Sequence, residues 1–344
     1  MKALFESDLK PILEHTRDLW SGLKGERIFI TGGTGFFGCW ILESFLYANR
    51  QLGLKAEALV LSRDPEQFKT KMPHLAERPE IKYLQGDILS FPFPLGNFPF
   101  VIHAATPSIA KLNQEDPLLM FDTVTEGTRR VLEFCREHGA KQMLLTSSGA
   151  VYGRQPYELS HIPETYAGAP APYELNTAYA EGKRAAELLS CLFASQSGFE
   201  IKIARCFAFV GPHLPLDIHF AIGNFIRDAM AGGPIVIQGD GSPLRSYLYA
   251  ADLTIWLWTI LFNGKPAYPY NVGSPEVVSI KNLAEYVGQV IDPQVKIEVK
   301  KEHDPSKPAE QYIPSTDRAA NELGLKVWVG LEESIRRTVQ WLNQ

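Results

Sequence analysis

From Arg27 to Thr31 the chain is short, apolar and β-favouring, TGGTGFFG follows, and Trp40 to Arg50 carries Ile41, Leu42, Phe45 and Leu46 at helical spacing. The pattern predicts strand, glycine turn, helix. It continues through strands near Ala56–Ser62, Ile81–Gln85 and Phe100–Ala104, a helix over about Leu118–His138 and a strand at Gln142–Ser147. A helix over about Thr177–Gln196 and a strand at Glu200–Cys206 complete the series. Alternating βα units imply an α/β fold, a doubly wound parallel sheet of Rossmann type with helices on both faces. Gln155 to Pro172, with three prolines between those two residues and few periodic apolar positions, predicts a surface loop beside the carboxyl end of the fifth strand, where such sheets bind ligands. After Cys206 the turns GPHLP, GGP, GDGSP and NVGSP separate short elements, as expected of a smaller α/β lobe. The most apolar run, Leu253 to Phe262, is about half of the ~20 residues needed to span a bilayer and reads as a buried helix.

Composition narrows the picture. The chain has 344 residues, 45% hydrophobic and 21% charged, which fits a folded body of about two domains and excludes disorder, collagen-like repeats and coiled coil. A net charge of -5 gives no broad attraction for nucleic acid or an anionic membrane, so neither is expected as a partner. Cys39, Cys135, Cys191 and Cys206 form no CxxC pair and no metal-ligand spacing; reduced thiols in a cytoplasmic protein, with no metal, are expected. The start, MKALFESDLKPILEHTRDLW, lacks the apolar stretch of a secretory signal and reads as an amphipathic helical leader over residues 1–25.

Gly32, Gly35 and Gly38 stand at G-x-x-G-x-x-G spacing between a strand and a helix. Glycine permits the tight turn, and unpaired N–H groups at the helix start attract a pyrophosphate, so this turn, with Thr34, Phe36 and Phe37, is expected to bind a dinucleotide. The second strand ends Leu61-Ser62-Arg63-Asp64. Ser62 and Arg63 suit a 2′-phosphate and favour NADP(H); a one-residue shift would bring Asp64 to the ribose and favour NAD(H). Asp87, with Ile88 beside it, is placed to accept from the adenine amino group, although Asp87 alone reads as a turn residue. Ala104, Ala105 and Thr106 end the fourth strand with side chains small enough for the cofactor to lie close.

Tyr179 and Lys183, in AYAEGK, are four apart on a helix and project from one face about 5–6 Å apart. Tyrosine titrates near 10, so Lys183 and an oxidised nicotinamide are expected to lower Tyr179 into a range useful for acid–base work. Ser148, at the end of the fifth strand, is placed to hold a reacting oxygen against Tyr179.

TGGTGFFG, HAAT, SSGAVYG, AYAEGK, Gly211-Pro212, GDGSPLRSYLYAADL and NVGS together resemble the extended short-chain dehydrogenases/reductases of the nucleotide-sugar epimerase/dehydratase group, over about residues 26 to 342. The resemblance implies a catalytic triad of Ser148, Tyr179 and Lys183, and a nucleotide-diphosphate sugar held by Asn224 and Arg245. An arginine pairs bidentately with phosphate; the alternative for Arg245 is a salt bridge to Asp252. The resemblance also implies a homodimer. The expected division is a dinucleotide domain of 26–205 plus about 247–272, and a substrate lobe of about 206–246 plus 273–344.

Where the dehydratase branch carries an Asp-Glu pair after the triad serine, this chain has Gly149 and Ala150, which disfavours 4,6-dehydration and weakens decarboxylation. Val124 and Ala208 replace two asparagines usual in the group. The expected activity is NADPH-dependent reduction of the C4 ketone of a nucleotide-linked 4-keto-6-deoxyhexose. A 4-epimerase retaining NAD, or a non-catalytic dinucleotide sensor or RNA-binding member of the fold, are the alternatives; a flavonoid- or steroid-like carbonyl fits poorly with Arg245.

Overall fold

A computed structural model describes residues 2–106, 109–217 and 220–344, with the side chains of 109–111 left aside. In chain order its first elements are α1 (Glu6–Thr16), β1 (Arg27–Thr31), α2 (Phe36–Leu52), β2 (Glu57–Ser62), α3 (Pro65–Lys71), α4 (Pro73–Ala76), β3 (Ile81–Gln85) and β4 (Phe100–His103). Then come α5 (Ile109–Glu115), α6 (Pro117–Glu137), β5 (Gln142–Ser148), α7 (Ala178–Ser197) and β6 (Glu200–Cys206). The later chain forms β7 (Phe209–Val210), α8 (Ala221–Met230), β8 (Ile235–Ile237), β9 (Leu244–Arg245), β10 (Leu248–Tyr249), α9 (Ala250–Asn263) and β11 (Pro269–Val272). It ends with β12 (Val278–Ser279), α10 (Ile280–Ile291), β13 (Ile297–Val299), β14 (Gln311–Tyr312), α11 (Asp317–Leu323) and α12 (Leu331–Leu342).

The chain divides into two units. The first comprises Met1–Gly153, Ala169–Cys206 and Thr254–Tyr270. Its seven-stranded sheet runs β11-β6-β5-β4-β1-β2-β3, with parallel pairing from β6 through β3. β1, β2 and β4 are near-continuous apolar runs rather than alternating ones because helices cover both faces: Ile28, Phe29 and Ile30 are all fully buried. Strand order reverses between β1 and β4, the switch point at which sheets of this kind open a crevice. On one face Phe29 packs on Phe91, Phe98 and Phe134, with Val101, Met143 and Ile201 in the same cluster.

The leader is part of this unit. Leu9, Ile12 and Leu13 of α1 are buried, the Leu4 amide donates to Glu43 on α2, and Trp20 lies 4.5 Å from Trp258. Two boundaries differ from the periodicity. Helix α2 begins at Phe36, directly on the glycine turn, and α3 forms because Asp64 caps it, accepting from the Gln67 amide at 2.9 Å, with Pro65 at its first position.

The second unit comprises Arg154–Gly168, Phe207–Leu253 and Asn271–Gln344. It contains the short sheets β12-β9-β14, β10-β7 and β13-β8, with α8 and α10 burying Ile222, Phe225, Ile226, Leu283 and Val287. Much of the loop expected after β5 belongs here: Gln155 accepts from the Ile313 amide, and Asn271 Nδ2 donates to the Ile162 and Ser315 carbonyls. No helix among the described residues is long and apolar enough to cross a membrane.

Candidate active site

The turn between β1 and α2 is fixed by backbone sterics. Gly32 has φ +72°, and a Cβ there would lie 2.4 Å from the Ala104 carbonyl oxygen, so the ends of β1 and β4 touch. A Cβ on Gly38 would lie 2.3 Å from the Gly33 carbonyl carbon; α2 therefore begins with its backbone against the turn. Gly33 is equally constrained, 2.7 Å from Val60 at its missing Cβ, and the glycine triplet alone did not reveal it; the Gly32-Gly33 doublet was the available signal. Gly35 is the N-cap of α2 and supplies no side chain to its first amides, and a helix start of this kind favours an anion. Thr34 lies in the same turn.

At the end of β2 Ser62 is buried, Arg63 is exposed, and Asp64 is engaged as the α3 cap. Arg63 makes no ion pair among the described residues. The exposed Asp87 uses one carboxylate oxygen on the Leu89 amide at 2.9 Å, the turn reading, and its second oxygen faces no described donor. The Ile88 side chain packs over Gly127 and the core, which leaves its backbone to face a ligand. The Ala104 amide bonds the Thr31 carbonyl, the Ala105 amide bonds Thr31 Oγ1, and Thr106 Oγ1 accepts from Lys183 Nζ at 2.9 Å.

Ser148 closes β5, and Tyr179 and Lys183 project from α7 beside it. Ser148 Oγ accepts from the Ala150 amide at 3.2 Å. Tyr179 keeps part of its surface accessible, yet desolvation pushes its hydroxyl up to about 12 against the hydrogen bond from Ser148. The expectation that Lys183 lowers Tyr179 is not met by the protein's own groups. The ammonium donates to the Thr146 carbonyl at 2.8 Å and to Thr106, and lies 5.9 Å from the tyrosine ring centroid. Burial in turn lowers Lys183 to about 8.

A buried ionic network supports these residues. Arg205 Nη2 donates to Glu187 Oε2 at 2.7 Å and its Nε to Oε1 at 3.0 Å, while Ser147 Oγ donates to Oε1 at 2.5 Å. Arg205 also lies over the Tyr152 ring. Glu187 is one turn beyond Lys183, and β5–β6 register sets Ser147 opposite Arg205 and Ser148 opposite Cys206. The helical spacing of Lys183 and Glu187 was the one sequence signal for this network.

In the second unit Asn224 is half-buried on α8 and its Oδ1 accepts from Arg227 at 3.4 Å. Arg245 on β9 reaches Glu310, 3.5 Å away, and the Leu244 carbonyl. The alternative pairing with Asp252 is not formed: Asp252 Oδ2 accepts from the Trp328 and Val329 amides.

A model of the NAD-dependent epimerase/dehydratase family matches residues 28–273. The chain belongs to this family. A UDP-glucuronic acid decarboxylase of Arabidopsis thaliana is 31% identical over 320 residues, covering 92% of this chain and 70% of that protein. Among solved structures, a UDP-N-acetylglucosamine 4-epimerase from Methanobrevibacter ruminantium, in complex with UDP-N-acetylmuramic acid, superposes with a TM-score of 0.78 at 20% identity, covering 92% of this chain and 98% of that one. A dTDP-glucose 4,6-dehydratase from Streptomyces venezuelae with NAD bound gives 0.76 at 21% identity, covering 92% and 97%. For an epimerase/dehydratase-family chain the departures have a physical reading. Gly149 and Ala150 form a 3₁₀ turn after Ser148 and bring no carboxylate there. Val124 packs against Gly182 where α6 meets α7, with 3.2 Å left for a Cβ on that glycine. Ala208 uses its carbonyl to accept from the Leu248 amide.

Proposed function

We propose that this protein is an NADP(H)-dependent nucleotide-sugar reductase acting on the C4 ketone of a nucleotide-linked 4-keto-6-deoxyhexose. The observation that carries the cofactor choice is the end of β2: Asp64 spends a carboxylate oxygen on the α3 cap, while the buried Ser62 and the exposed Arg63 stand beside it to meet a 2′-phosphate. The Gly32–Gly38 turn, Thr34, Phe36, Phe37, Ala104, Ala105, Thr106 and the Asp87–Ile88 backbone complete the proposed dinucleotide site. At Gly32 and Gly38 an added Cβ would meet backbone at 2.4 and 2.3 Å, so only glycine lets the turn close tightly against the start of α2, which supports the fit. Gly38→Ala is therefore expected to weaken NADPH binding at least tenfold by calorimetry, an unchanged affinity counting against that fit.

A bound reduced nicotinamide supplies hydride to the carbonyl carbon. Tyr179 protonates the oxygen; held at about 12 it carries its proton at neutral pH, the state reduction requires. Ser148 orients that oxygen, and Lys183 keeps Thr106 and the end of β5 in place beneath it. Asn224 and Arg245 are proposed to hold the diphosphate, with Glu310 giving up Arg245 to it. The lack of a carboxylate at Gly149 and Ala150 argues against dehydratase and decarboxylase chemistry.

Arg63→Ala should raise the KM for NADPH about tenfold and leave that for NADH nearly unchanged, since a charged hydrogen-bond pair contributes about 1.5–3 kcal/mol. Equal loss with both cofactors would remove the 2′-phosphate reading. A 4-epimerase that retains NAD is the second reading, the activity named for the Methanobrevibacter structure above; NAD released by denaturing the purified protein would support it. We also propose a cytoplasmic homodimer in which Leu118, Leu119, Leu188 and Leu192, exposed on α6 and α7, meet a second copy.

A further inference from the structure

His103, the last residue of β4, is fully enclosed and belongs to none of the roles above. Its Nδ1 lies 2.7 Å from Thr31 Oγ1 and its Nε2 3.1 Å from Thr128 Oγ1. The proton on each nitrogen follows from what the two hydroxyls do elsewhere. Thr128 Oγ1 is 2.6 Å from the Val124 carbonyl, an acceptor only, so its single proton is spent there and it accepts from Nε2. Thr31 Oγ1 accepts the Ala105 amide at 3.2 Å and has its own proton to give, which Nδ1 can take. The neutral Nε2–H tautomer satisfies every group in this chain. The Nδ1–H tautomer would turn Thr128 away from its carbonyl and leave the Thr31 proton without this acceptor. Burial, and then the nearby Lys183 ammonium, hold His103 down to about 3, so it is neutral across the physiological range.

We infer that His103, as its Nε2–H tautomer, is a positioning residue that locks the Ala104–Thr106 turn beneath Lys183. The linkage is continuous: His103 takes the Thr31 proton, Thr31 Oγ1 is thereby aimed at the Ala105 amide, and the next residue, Thr106, accepts from Lys183 Nζ. Thr146 ties the same residues from the neighbouring strand, its hydroxyl donating to the His103 carbonyl and its own carbonyl accepting from Lys183. The inference rests on Lys183 belonging to the site proposed above, but its readouts need no turnover.

The test is NMR on the full chain. In histidine ¹⁵N-labelled protein, with His103 assigned through the signal lost in His103→Asn, the expected pattern is a protonated Nε2 and an unprotonated Nδ1, unchanged from pH 5 to 8. A protonated Nδ1, or a charged ring, overturns the relay. Thr31→Val keeps the shape and removes the hydroxyl; Ala105 amide exchange should then quicken about tenfold, the size of one hydrogen bond, and the Lys183 Cε titration should move to lower pH because the Thr106 acceptor is loosened. Thr31→Ser should restore both. Unchanged exchange and titration in Thr31→Val would overturn the positioning role. Should the relay hold in a protein that binds no dinucleotide, the functional reading fails and the tautomer stands.

Discussion

Tyr179→Phe is expected to lower the rate of keto-sugar reduction by about 10³-fold, within the range of one general acid, and to leave NADPH affinity within about twofold. The hydroxyl is the group lost, and in the proposed arrangement it is the acid that gives its proton to the reacting oxygen. The pH dependence has a definite sign. In the reductive direction both Tyr179 and Lys183 act protonated, Tyr179 held up to about 12 and Lys183 held down to about 8, both by burial. Lys183 therefore loses its proton first. kcat/KM should be flat below about pH 8 and fall above it, and Lys183→Met should lose that inflection along with most of the rate. A profile rising from pH 6 to 9 would instead mark Tyr179 as a base, the requirement of an oxidative first step.

The second large effect is on stability. Glu187→Ala should destabilise the fold by about 3–5 kcal/mol, because it strands the Arg205 guanidinium with its partner gone. The two side chains are only 15% and 11% exposed, so water does little to replace the lost pair. Glu187→Gln should cost less, since an amide oxygen still accepts from Ser147 and from one arm of Arg205. Replacing both members together, Glu187→Leu with Arg205→Met, should recover most of the loss, as expected when desolvation of a buried pair nearly cancels its attraction. Urea unfolding measures all three. A Glu187→Ala midpoint matching wild type would mean the network contributes nothing.

How far these residues were legible in the sequence depends on the separation of their partners. β1, β2 and β5 were readable as apolar runs because both faces of the sheet are covered, and the Gly32–Gly38 spacing marked the turn after β1. Tyr179 and Lys183 were readable because four residues along a helix define one face without tertiary knowledge. The Glu187–Arg205–Ser147 network was not, since it needs the β5–β6 register to place Ser147 opposite Arg205. His103 has no role legible in HAAT, and only its Thr31 and Thr128 partners, 72 and 25 residues away, give it one. The tuning of Tyr179 was not legible because a sequence shows which groups are near in the chain, not how much of each is desolvated by the fold. The docking of α1 on α2 was likewise hidden, the leader's amphipathic pattern naming no partner.

The central claim is net hydride transfer from an exchangeable NADPH to a sugar carbon. The most direct measurement follows deuterium from [4-²H]NADPH, tried with each hydride face labelled, into product formed from nucleotide-linked 4-keto-6-deoxyhexoses and read by mass spectrometry. One deuterium at C4 per NADPH oxidised is expected, with little transfer from NADH. Epimer interconversion without label uptake, and with NAD carried through purification, would contradict it.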